Sequence, residues 1–308
     1  MERISLEGRV ALVTGAGRGL GRAYANLLAE RGAAIVVNDL GTDGDGRGSD
    51  SAVADKVVEE IHAKGGKAVS NGFSVATTGG GEAMIEAALL AFGRIDIVVA
   101  NAGICTSQPF AETTLADFRH YWDVHVAGTI NPVRAAWPHF QKSGHGRVIV
   151  TESSAGLFGL EGQATYAAAK GAVHGLMRVL ALEGRADNIL VNAVLPGGYS
   201  RMHDAALRDE PEMLDWMQRF MAPELVAPLV VWLASDCCSV TGEAFSAWSG
   251  RVARVAIGTG DGFFDPNLTP ERVAENYAEV ASTNNLFTPS RNLEEVERWL
   301  SRGLIHTD

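Results

Sequence analysis

The chain has 308 residues, of which 46% are hydrophobic, so it is long and apolar enough to build one large or two modest domains around a substantial core. Its 26 basic and 37 acidic residues give a net charge of −11, which argues against a nucleic-acid-binding protein because such proteins present a basic face. No apolar run reaches the roughly 18 residues that a membrane-spanning helix needs.

The three cysteines, Cys105, Cys237 and Cys238, are too few and too unevenly spaced for a disulfide framework or a zinc site. We therefore expect a reducing, cytoplasmic setting and no bound metal. The N-terminal stretch MERISLEGRV contains no apolar segment, so we expect no secretory signal peptide.

Predicted strands and helices alternate from the beginning of the chain. The run RVALVTG, residues 9–15, is apolar and β-branched and ends in glycine, which predicts a buried strand. Apolar residues at helical spacing follow up to about residue 31, and GAAIVVND, residues 32–39, predicts a second strand. The next predicted elements are a helix over 52–65, a strand over 67–75, a helix over about 81–92 and a strand over 95–103.

The alternation continues in the second half of the chain. The predicted elements are a helix near 115–140, a strand over 146–154, a helix that carries Tyr166, a strand over 189–197, a helix over 222–234 and a last strand near 243–248. Pro132 is expected to kink the first of these helices. Because most of the strands are apolar on both faces, the pattern predicts a parallel sheet with helices on both sides, which is a doubly wound α/β fold.

The end of the chain predicts helices outside this sheet. We assign residues 1–260 to the main domain and residues 261–308 to a helical extension packed on it. Thr269 is placed to cap a helix whose first residue is Pro270. RNLEEVERWLSRG predicts a second, amphipathic helix with an apolar face of Leu293, Val296, Trp299 and Leu300. The pattern leaves open whether these helices border a substrate or a neighbouring subunit.

A glycine-rich turn, TGAGRGLG, joins the first predicted strand to its helix at residues 14–21. Glycines at such a turn let the backbone approach a pyrophosphate, and the helix N-terminus adds free N–H groups and about half a positive charge. The turn therefore predicts a nucleotide-binding site, with a tight structural turn as the alternative.

Asp39 ends the second predicted strand. A carboxylate there can accept hydrogen bonds from a ribose 2′-hydroxyl and would repel a 2′-phosphate, which favours NAD over NADP. Arg18 argues in the other direction, since an arginine in the turn can reach a 2′-phosphate. A strand-end cap without a ligand is the alternative role for Asp39.

Tyr166 and Lys170 lie one helical turn apart in TYAAAK, so both side chains are expected on the same helix face. A free phenol has a pKa of about 10, and acid–base work near neutrality requires a change of roughly 4 kcal/mol. A lysine charge nearby supplies about 3 to 4 kcal/mol at an effective dielectric constant of about 20, and a positively charged nicotinamide ring next to the phenol would add the remainder. Ser153, at the end of a strand, is expected to bond to a carbonyl or alcohol oxygen. An incidental polar helix face is the alternative.

These motifs together resemble the short-chain dehydrogenase/reductase family. The resemblance rests on TGAGRGLG, on NAG at residues 101–103, on Ser153, on YAAAK and on PG at residues 196–197, and it covers about residues 6–250. Stretches such as FGRIDIVVANAGI and RAAWPHF are similar to one branch, the D-3-hydroxyacyl-CoA dehydrogenase part of the peroxisomal multifunctional enzymes, also called 17-beta-hydroxysteroid dehydrogenase-like. The resemblance implies a Rossmann-like fold and a dehydrogenase with NAD as cofactor. Because the chain is too short for the hydratase and sterol-carrier parts of such enzymes, we expect a stand-alone dehydrogenase.

The resemblance also implies roles for individual residues. Ser153 would position the substrate oxygen, Tyr166 would transfer the proton, and Lys170 would lower the tyrosine pKa and hold the nicotinamide ribose. Asp39 would hold the adenosine ribose. The other residues implied in cofactor binding are Gly15, Arg18, Gly19, Leu20, Gly21, Ser74, Val75, Asn101, Gly103, Pro196, Gly197 and Ser200.

His125 marks a departure from the family pattern. Many members have an asparagine at this point, where it organises a proton-relay water. Histidine can also bind a water, so His125 is a fourth expected catalytic residue, with a partly buried structural histidine as the alternative. Asn131 does not replace it, because it lies further along the helix, next to Pro132.

The expected function is NAD-dependent interconversion of a secondary alcohol and a ketone, with a D-3-hydroxyacyl-CoA as the first substrate choice. A steroid or other bulky hydrophobic alcohol is the alternative within the class, and a non-catalytic NAD-binding sensor or scaffold is the alternative outside it. Methionine-rich residues 200–221 predict either a lid over an apolar substrate or core packing. Small residues on the Tyr166 helix predict packing against a second subunit, in a homodimer or homotetramer.

Overall fold

The fold was obtained as a computed structural model, which describes residues 3–42, 48–199 and 210–301. Strands and helices alternate along these ranges, as the sequence predicts. The strands are β1 (Val10–Thr14), β2 (Ala34–Asn38), β3 (Lys67–Asn71), β4 (Ile97–Ala100), β5 (Gly146–Thr151), β6 (Ile189–Gly197), β7 (Ala244–Trp248) and β8 (Arg251–Val255).

The strands form one eight-stranded sheet in the order β3-β2-β1-β4-β5-β6-β7-β8. Every neighbouring pair from β3 to β7 is parallel. The chain builds outward from β1 in one direction and then, from β4, in the other. Such a reversal leaves a crevice at the carboxyl ends of β1 and β4, where ligands bind in doubly wound folds.

Helices flank the sheet, and the predicted α/β architecture is confirmed. Within the described part of residues 1–254 the helices are α1 (Gly19–Glu30), α2 (Ala52–Ala63), α3 (Thr78–Phe92), α4 (Leu115–Tyr121), α5 (Gly128–Ser143), α6 (Ser154–Phe158), α7 (Ala164–Glu183), α8 (Pro211–Phe220) and α9 (Ala227–Ala234). The described residues after 254 contain α10 (Pro270–Glu275), α11 (Tyr277–Val280) and α12 (Leu293–Ser301). None of these helices is long and apolar enough to cross a membrane.

The core is centred on the inner strands. Every residue of β1, β2, β4 and β5 is buried. Helices on both faces exclude water from both sides of these strands, so the apolar side chains need not alternate with polar ones. This arrangement holds the strand ends, and the loops that follow them, in fixed positions.

The helix predicted near residues 115–140 is interrupted. A π-helical turn, Trp122–Ala127, separates α4 from α5, and Pro132 lies within the second turn of α5. Pro132 has no N–H to donate to the carbonyl of Gly128, yet residues 128–131 are α-helical, so the interruption lies before the region that the proline disturbs. His125 is carried by this π-helical turn.

β8 was not predicted. It follows β7 through a two-residue turn in which Ser249 (φ 51°) and Gly250 (φ 81°) both have positive φ angles. Two-residue turns with two positive φ angles connect antiparallel strands, so β8 runs against the rest of the sheet.

The chain divides into two compact units, Met1–Arg254 and Val255–Asp308. The second unit contains α10, which begins as predicted: the Thr269 side chain accepts a hydrogen bond from the backbone N–H of Arg272. In the same unit, Arg298 donates to Asp261 at 2.7 Å. The predicted boundary at residue 260 and the packing of the extension on the main domain stay predictions.

Candidate active site

The glycine-rich turn between β1 and α1 is held by Asn101, which follows β4. Its Nδ2 donates to the carbonyl oxygens of Thr14 (3.0 Å) and Gly15 (3.2 Å). Its backbone N–H donates to Thr14 Oγ1 at 3.0 Å. A Cβ at Gly21 would lie 2.1 Å from the carbonyl oxygen of Gly15, so only glycine fits there. The turn is therefore a fixed structure braced by the neighbouring strand.

The N-terminus of α1 is open to a ligand. Arg18, the residue before the helix, is extended and makes no capping hydrogen bond with its side chain. A Cβ at Gly19 (φ +50°) would have no atom within 4 Å. Free backbone N–H groups and open space at a helix N-terminus form a site for an anion such as a pyrophosphate. The turn thus fits a dinucleotide of the NAD(P) type, whose phosphates Gly15, Gly19 and Leu20 would border.

Asp39 lies beside this turn, at the end of β2. Its Oδ2 accepts a hydrogen bond from the Gly17 N–H (2.8 Å), and its Oδ1 accepts one from the Gly41 N–H (2.7 Å). Arg18 extends in the same direction and donates to the carbonyl oxygen of Thr42 at 3.0 Å. Asp39, which favours NAD, and Arg18, which would favour NADP, therefore lie at the same end of the turn.

Ser74 and Val75 follow β3, and the carbonyl oxygen of Val75 accepts a hydrogen bond from Asn131 Nδ2 at 2.8 Å. Asn131 thus anchors the loop that carries Ser74 and Val75, two of the residues implied in cofactor binding. Pro196 and Gly197 end β6, and a Cβ at the following Gly198 would lie 2.8 Å from the Leu20 side chain.

Ser153, Tyr166 and Lys170 come together where β5 ends. Tyr166 and Lys170 lie in α7, and the Lys170 Nζ is 5.6 Å from the centroid of the Tyr166 ring. Nζ donates to the carbonyl oxygen of Thr151 at 2.6 Å. Ser153 and Tyr166 share a side-chain hydrogen bond. The expected one-turn spacing thus gives two side chains on one face, with the serine at the phenol.

Burial is the largest influence on the pKa values of Tyr166 and Lys170. Burial raises the pKa of Tyr166 to about 12, although the hydrogen bond with Ser153 lowers it in part. Burial also lowers the pKa of Lys170 from 10.5 to about 8, although the nearby carboxylate of Glu152 acts to raise it. In the free chain the pKa of Tyr166 therefore lies well above neutrality, and the expected joint effect of Lys170 and a bound, positively charged nicotinamide stays a prediction.

His125 is fully buried, with 2% of its surface exposed. Its Nε2 lies 2.8 Å from the carbonyl oxygen of Ile104, and its ring meets the Tyr166 ring edge to face at 5.2 Å. Nδ1 is buried without a hydrogen-bond partner among the described residues. Burial and the charge of Lys170 hold the pKa of His125 well below 6.5, so the ring is neutral. Gly103 leaves room for it, since a Cβ there would lie 2.6 Å from Cε1.

Three further polar residues belong to this neighbourhood, although the sequence analysis gave them no role. Cys105 is half-buried, and burial raises the pKa of its thiol although the nearby charge of Lys170 lowers it in part. Glu152, the residue between Thr151 and Ser153 in the sequence, is buried, and its carboxylate lies 3.1 Å from Nδ1 of His174 in α7. Their positions carried a signal: Cys105 closely follows the NAG motif, Glu152 directly precedes Ser153, and His174 lies one helical turn after Lys170.

The predicted substrate side is only partly described. Ser200 and the rest of residues 200–209 lie outside the described residues. α8 exposes Met213, Trp216 and Phe220, and buries Met217. Arg254 of β8 forms an ion pair with Glu243 at 2.9 Å. Within the part of the chain that is described, no group of three or more acidic, histidine or cysteine side chains is arranged to hold a metal ion.

Comparisons with known proteins agree with this geometry. A family profile described as "short chain dehydrogenase" matches residues 9–212. Peroxisomal multifunctional enzyme type 2 of Mus musculus is 42% identical over 290 residues, which cover 93% of this chain and 38% of that protein. A short-chain type dehydrogenase/reductase of Mycobacterium tuberculosis is 44% identical over 276 residues, covering 89% of this chain and 94% of the relative.

Two solved structures are similar over most of the chain. Full-length peroxisomal multifunctional enzyme type 2 of Drosophila melanogaster superposes with a TM-score of 0.78 at 32% identity, covering 98% of this chain and 50% of that one. A short chain dehydrogenase of Mycobacterium avium gives a TM-score of 0.75 at 35% identity, covering 90% of this chain and 97% of the other. The chain thus spans half or less of the two multifunctional enzymes and nearly all of the mycobacterial proteins.

Proposed function

The chain belongs to the short-chain dehydrogenase/reductase family of oxidoreductases, and on that premise we propose that it is an NAD-dependent dehydrogenase of D-3-hydroxyacyl-CoA thioesters. The observation that carries this proposal is the placement of Ser153, Tyr166 and Lys170 at the end of β5, in the sheet whose β1 leads into the glycine-rich turn. The thioester substrate is supported by the similarity to multifunctional enzymes that are named hydratase-dehydrogenase-epimerase.

NAD is proposed over NADP because of Asp39. A ribose 2′-hydroxyl can donate to a carboxylate, whereas a 2′-phosphate next to it would be repelled. Arg18, the residue that would favour the phosphate, already donates to the carbonyl oxygen of Thr42. A neighbour in the same fold, a gluconate 5-dehydrogenase from Burkholderia cenocepacia, was solved with NADP, so the choice between the two cofactors is made by local residues.

In this mechanism a bound nicotinamide supplies or accepts the hydride at the carbinol carbon. The Ser153 hydroxyl holds the substrate oxygen, and the Tyr166 phenol passes a proton to or from that oxygen. Because burial sets the pKa of Tyr166 at about 12 in the free chain, the phenol begins protonated and is ready to act as an acid. To act as a base it needs additional positive charge nearby, to which Lys170 contributes.

His125 is proposed to hold a water on the path of the proton. Its Nε2 lies 2.8 Å from the carbonyl oxygen and 3.3 Å from the N–H nitrogen of Ile104. In the tautomer that donates from Nε2 to the carbonyl, the buried Nδ1 carries a lone pair with no donor among the described residues. A buried nitrogen of this kind is most economically satisfied by an ordered water. The histidine stays neutral throughout and acts as an acceptor, in the place where many family members have asparagine.

The proposal is tested by assaying oxidation of D- and L-3-hydroxyacyl-CoA thioesters and of hydroxysteroids with NAD and NADP. We expect turnover of the D-thioester with NAD. Steroid oxidation without thioester turnover would contradict the proposed substrate.

Asp39→Asn should reduce the preference for NAD over NADP by about tenfold or more, since a like-charge contact costs several kcal/mol. The matched control is Glu59→Gln, an exposed carboxylate on α2.

Cellular location and oligomeric state follow as separate proposals. The homodimer or homotetramer expected from α7 stays a prediction. The cytoplasmic location expected from the cysteines also stays a prediction, and several similar proteins carry the word peroxisomal in their names.

A further inference from the structure

A pair of side chains, Glu152 and His174, lies close to the active-site residues Tyr166 and Lys170. Glu152, with 1% of its surface exposed, sits between Thr151 and Ser153 at the end of β5. Its two carboxylate oxygens lie 3.2 and 3.1 Å from Nδ1 of His174, which donates to them. No other hydrogen bond to this carboxylate is seen in the described part of the chain. We call these two residues the Glu152–His174 pair.

The Glu152–His174 pair lies next to Lys170 along both β5 and α7. His174 lies one turn after Lys170 on α7, and Thr151, whose carbonyl oxygen accepts the hydrogen bond from Lys170, directly precedes Glu152. Three consecutive residues therefore serve three purposes: Thr151 binds the lysine, Glu152 supplies a charge, and Ser153 reaches the tyrosine. A buried carboxylate with one donor is costly unless a cation lies near it.

Lys170 needs such an anion, because it is itself buried with 4% exposure. The titratable groups that face it in the described residues are Glu152, Cys105, His125 and Tyr166. Burial raises the pKa of the Cys105 thiol above 9.0 and that of Tyr166 to about 12, and it keeps His125 neutral. Of these four groups, Glu152 is the carboxylic acid, and both of its oxygens lie within hydrogen-bond distance of the His174 ring.

We propose that Glu152, held in place by His174, is a positioning residue that keeps Lys170 cationic at neutral pH. The inference rests on the proposed function only in assigning Lys170 to the reaction. The charge relation itself is a property of the folded chain and is measurable without substrate or cofactor.

The direct test is an NMR titration of Lys170 in protein with ¹³C-labelled lysine, assigned by comparison with Lys170→Met. Glu152→Gln removes the anion and should move the midpoint of the Lys170 titration down by about one to two pH units. Glu152→Asp keeps the charge and should stay within about half a pH unit of the parent. Glu183→Gln, an exposed carboxylate on the same helix, is the control and should change nothing.

An unchanged midpoint in Glu152→Gln would overturn the inference, and so would an equal fall in the Asp and Gln variants, which would assign the effect to packing. Should Glu152→Gln not fold, the double variant Glu152→Gln, His174→Gln replaces the pair by two hydrogen-bonding amides and gives the same comparison. His174→Gln alone keeps a donor to the carboxylate and should leave the midpoint in place. A shift there as large as in Glu152→Gln would contradict the proposal.

A second readout is the pH profile of turnover. If Lys170 must be cationic, the alkaline limb of the profile should move to lower pH in Glu152→Gln and stay in place in Glu183→Gln. A fall in the Lys170 midpoint in a protein that oxidises no D-3-hydroxyacyl-CoA would support this inference while refuting the proposed substrate. The two proposals can therefore fail separately.

Discussion

Opposing effects of burial decide the chemistry of individual residues at this site. Tyr166 and Lys170 are both shielded from water, and each is driven towards its neutral form, as a phenol and as an amine. The sequence gives the helical spacing of the two side chains but not the extent of burial. Proximity was therefore predictable from TYAAAK, whereas the direction of the tyrosine pKa shift was not.

The lysine predicts a stability that depends on pH. Its pKa is about 8 in the folded chain and 10.5 in an unfolded one, so between these values the unfolded chain binds the extra proton. Stability therefore rises with pH across this window and is lost as the pH falls through about 8. Relative to Lys170→Met, the parent should gain about 3 kcal/mol of unfolding free energy between about pH 7 and pH 10.5.

Urea unfolding of the parent and of Lys170→Met at the two pH values gives this difference. Lys142→Met, which removes an exposed lysine from α5, is the control and should give a difference that does not vary with pH. If the difference in unfolding free energy between the parent and Lys170→Met also did not vary with pH, burial would not lower the pKa of Lys170.

Among the elements, the glycine-rich turn makes the sharpest prediction. Gly21→Ala places a Cβ 2.1 Å from the carbonyl oxygen of Gly15 and 2.7 Å from Nδ2 of Asn101, so the brace between β1, α1 and β4 must shift. We expect a loss of about 1–3 kcal/mol in stability, as for overpacking in a core, and a loss of NADH binding. Thermal unfolding and NADH fluorescence titration measure the two effects.

Gly79→Ala is the matched control for this change. Gly79 lies in the first turn of α3 with no atom within 4 Å of an added Cβ. The substitution should stabilise the chain slightly through helix propensity and leave NADH binding as it is. If Gly21→Ala bound NADH as well as Gly79→Ala does, the turn would not be the phosphate site.

Most of the strands from β1 to β7 were predictable because they are apolar runs between turn residues, whereas β3 (KAVSN) is largely polar and followed from its place between two helices. β8 was missed because RVARV carries arginines at the sheet edge, where a strand need not be apolar. The interruption of the 115–140 helix was only partly foreseen: Pro132 signalled a disturbance, but the π-helical turn that carries His125 depends on the local packing. Ser153, Tyr166 and Lys170 followed from motif spacing, whereas the Glu152–His174 pair required the contact between β5 and α7.

On the scale of the whole molecule, exposed apolar side chains favour self-association. Val179 and Leu182 on α7 are exposed by 51% and 38%, and Trp122 on the π-helical turn by 52%. A homodimer or homotetramer that buries this surface should be lost in Val179→Glu, because a charge without a partner cannot be buried at low cost. We expect at least a tenfold weaker association, about 1.4 kcal/mol.

Analytical ultracentrifugation over a range of concentrations measures this association. Lys56→Glu, a change of charge at an exposed position of α2, is the control and should leave the assembly intact. A parent chain that stays monomeric at every concentration would refute the predicted oligomer without affecting the site.

The proposed activity depends on proton transfer by Tyr166, and Tyr166→Phe tests this step most directly. The variant removes one hydroxyl, so it should lower turnover of the substrate that the thioester and steroid assays identify by about 10² to 10⁴-fold, the usual contribution of a general acid or base. NADH binding should match the parent, and Tyr277→Phe, an exposed position in the second unit, should lose nothing. Turnover within about tenfold of the parent would contradict the central claim, since the phenol would then not carry the proton.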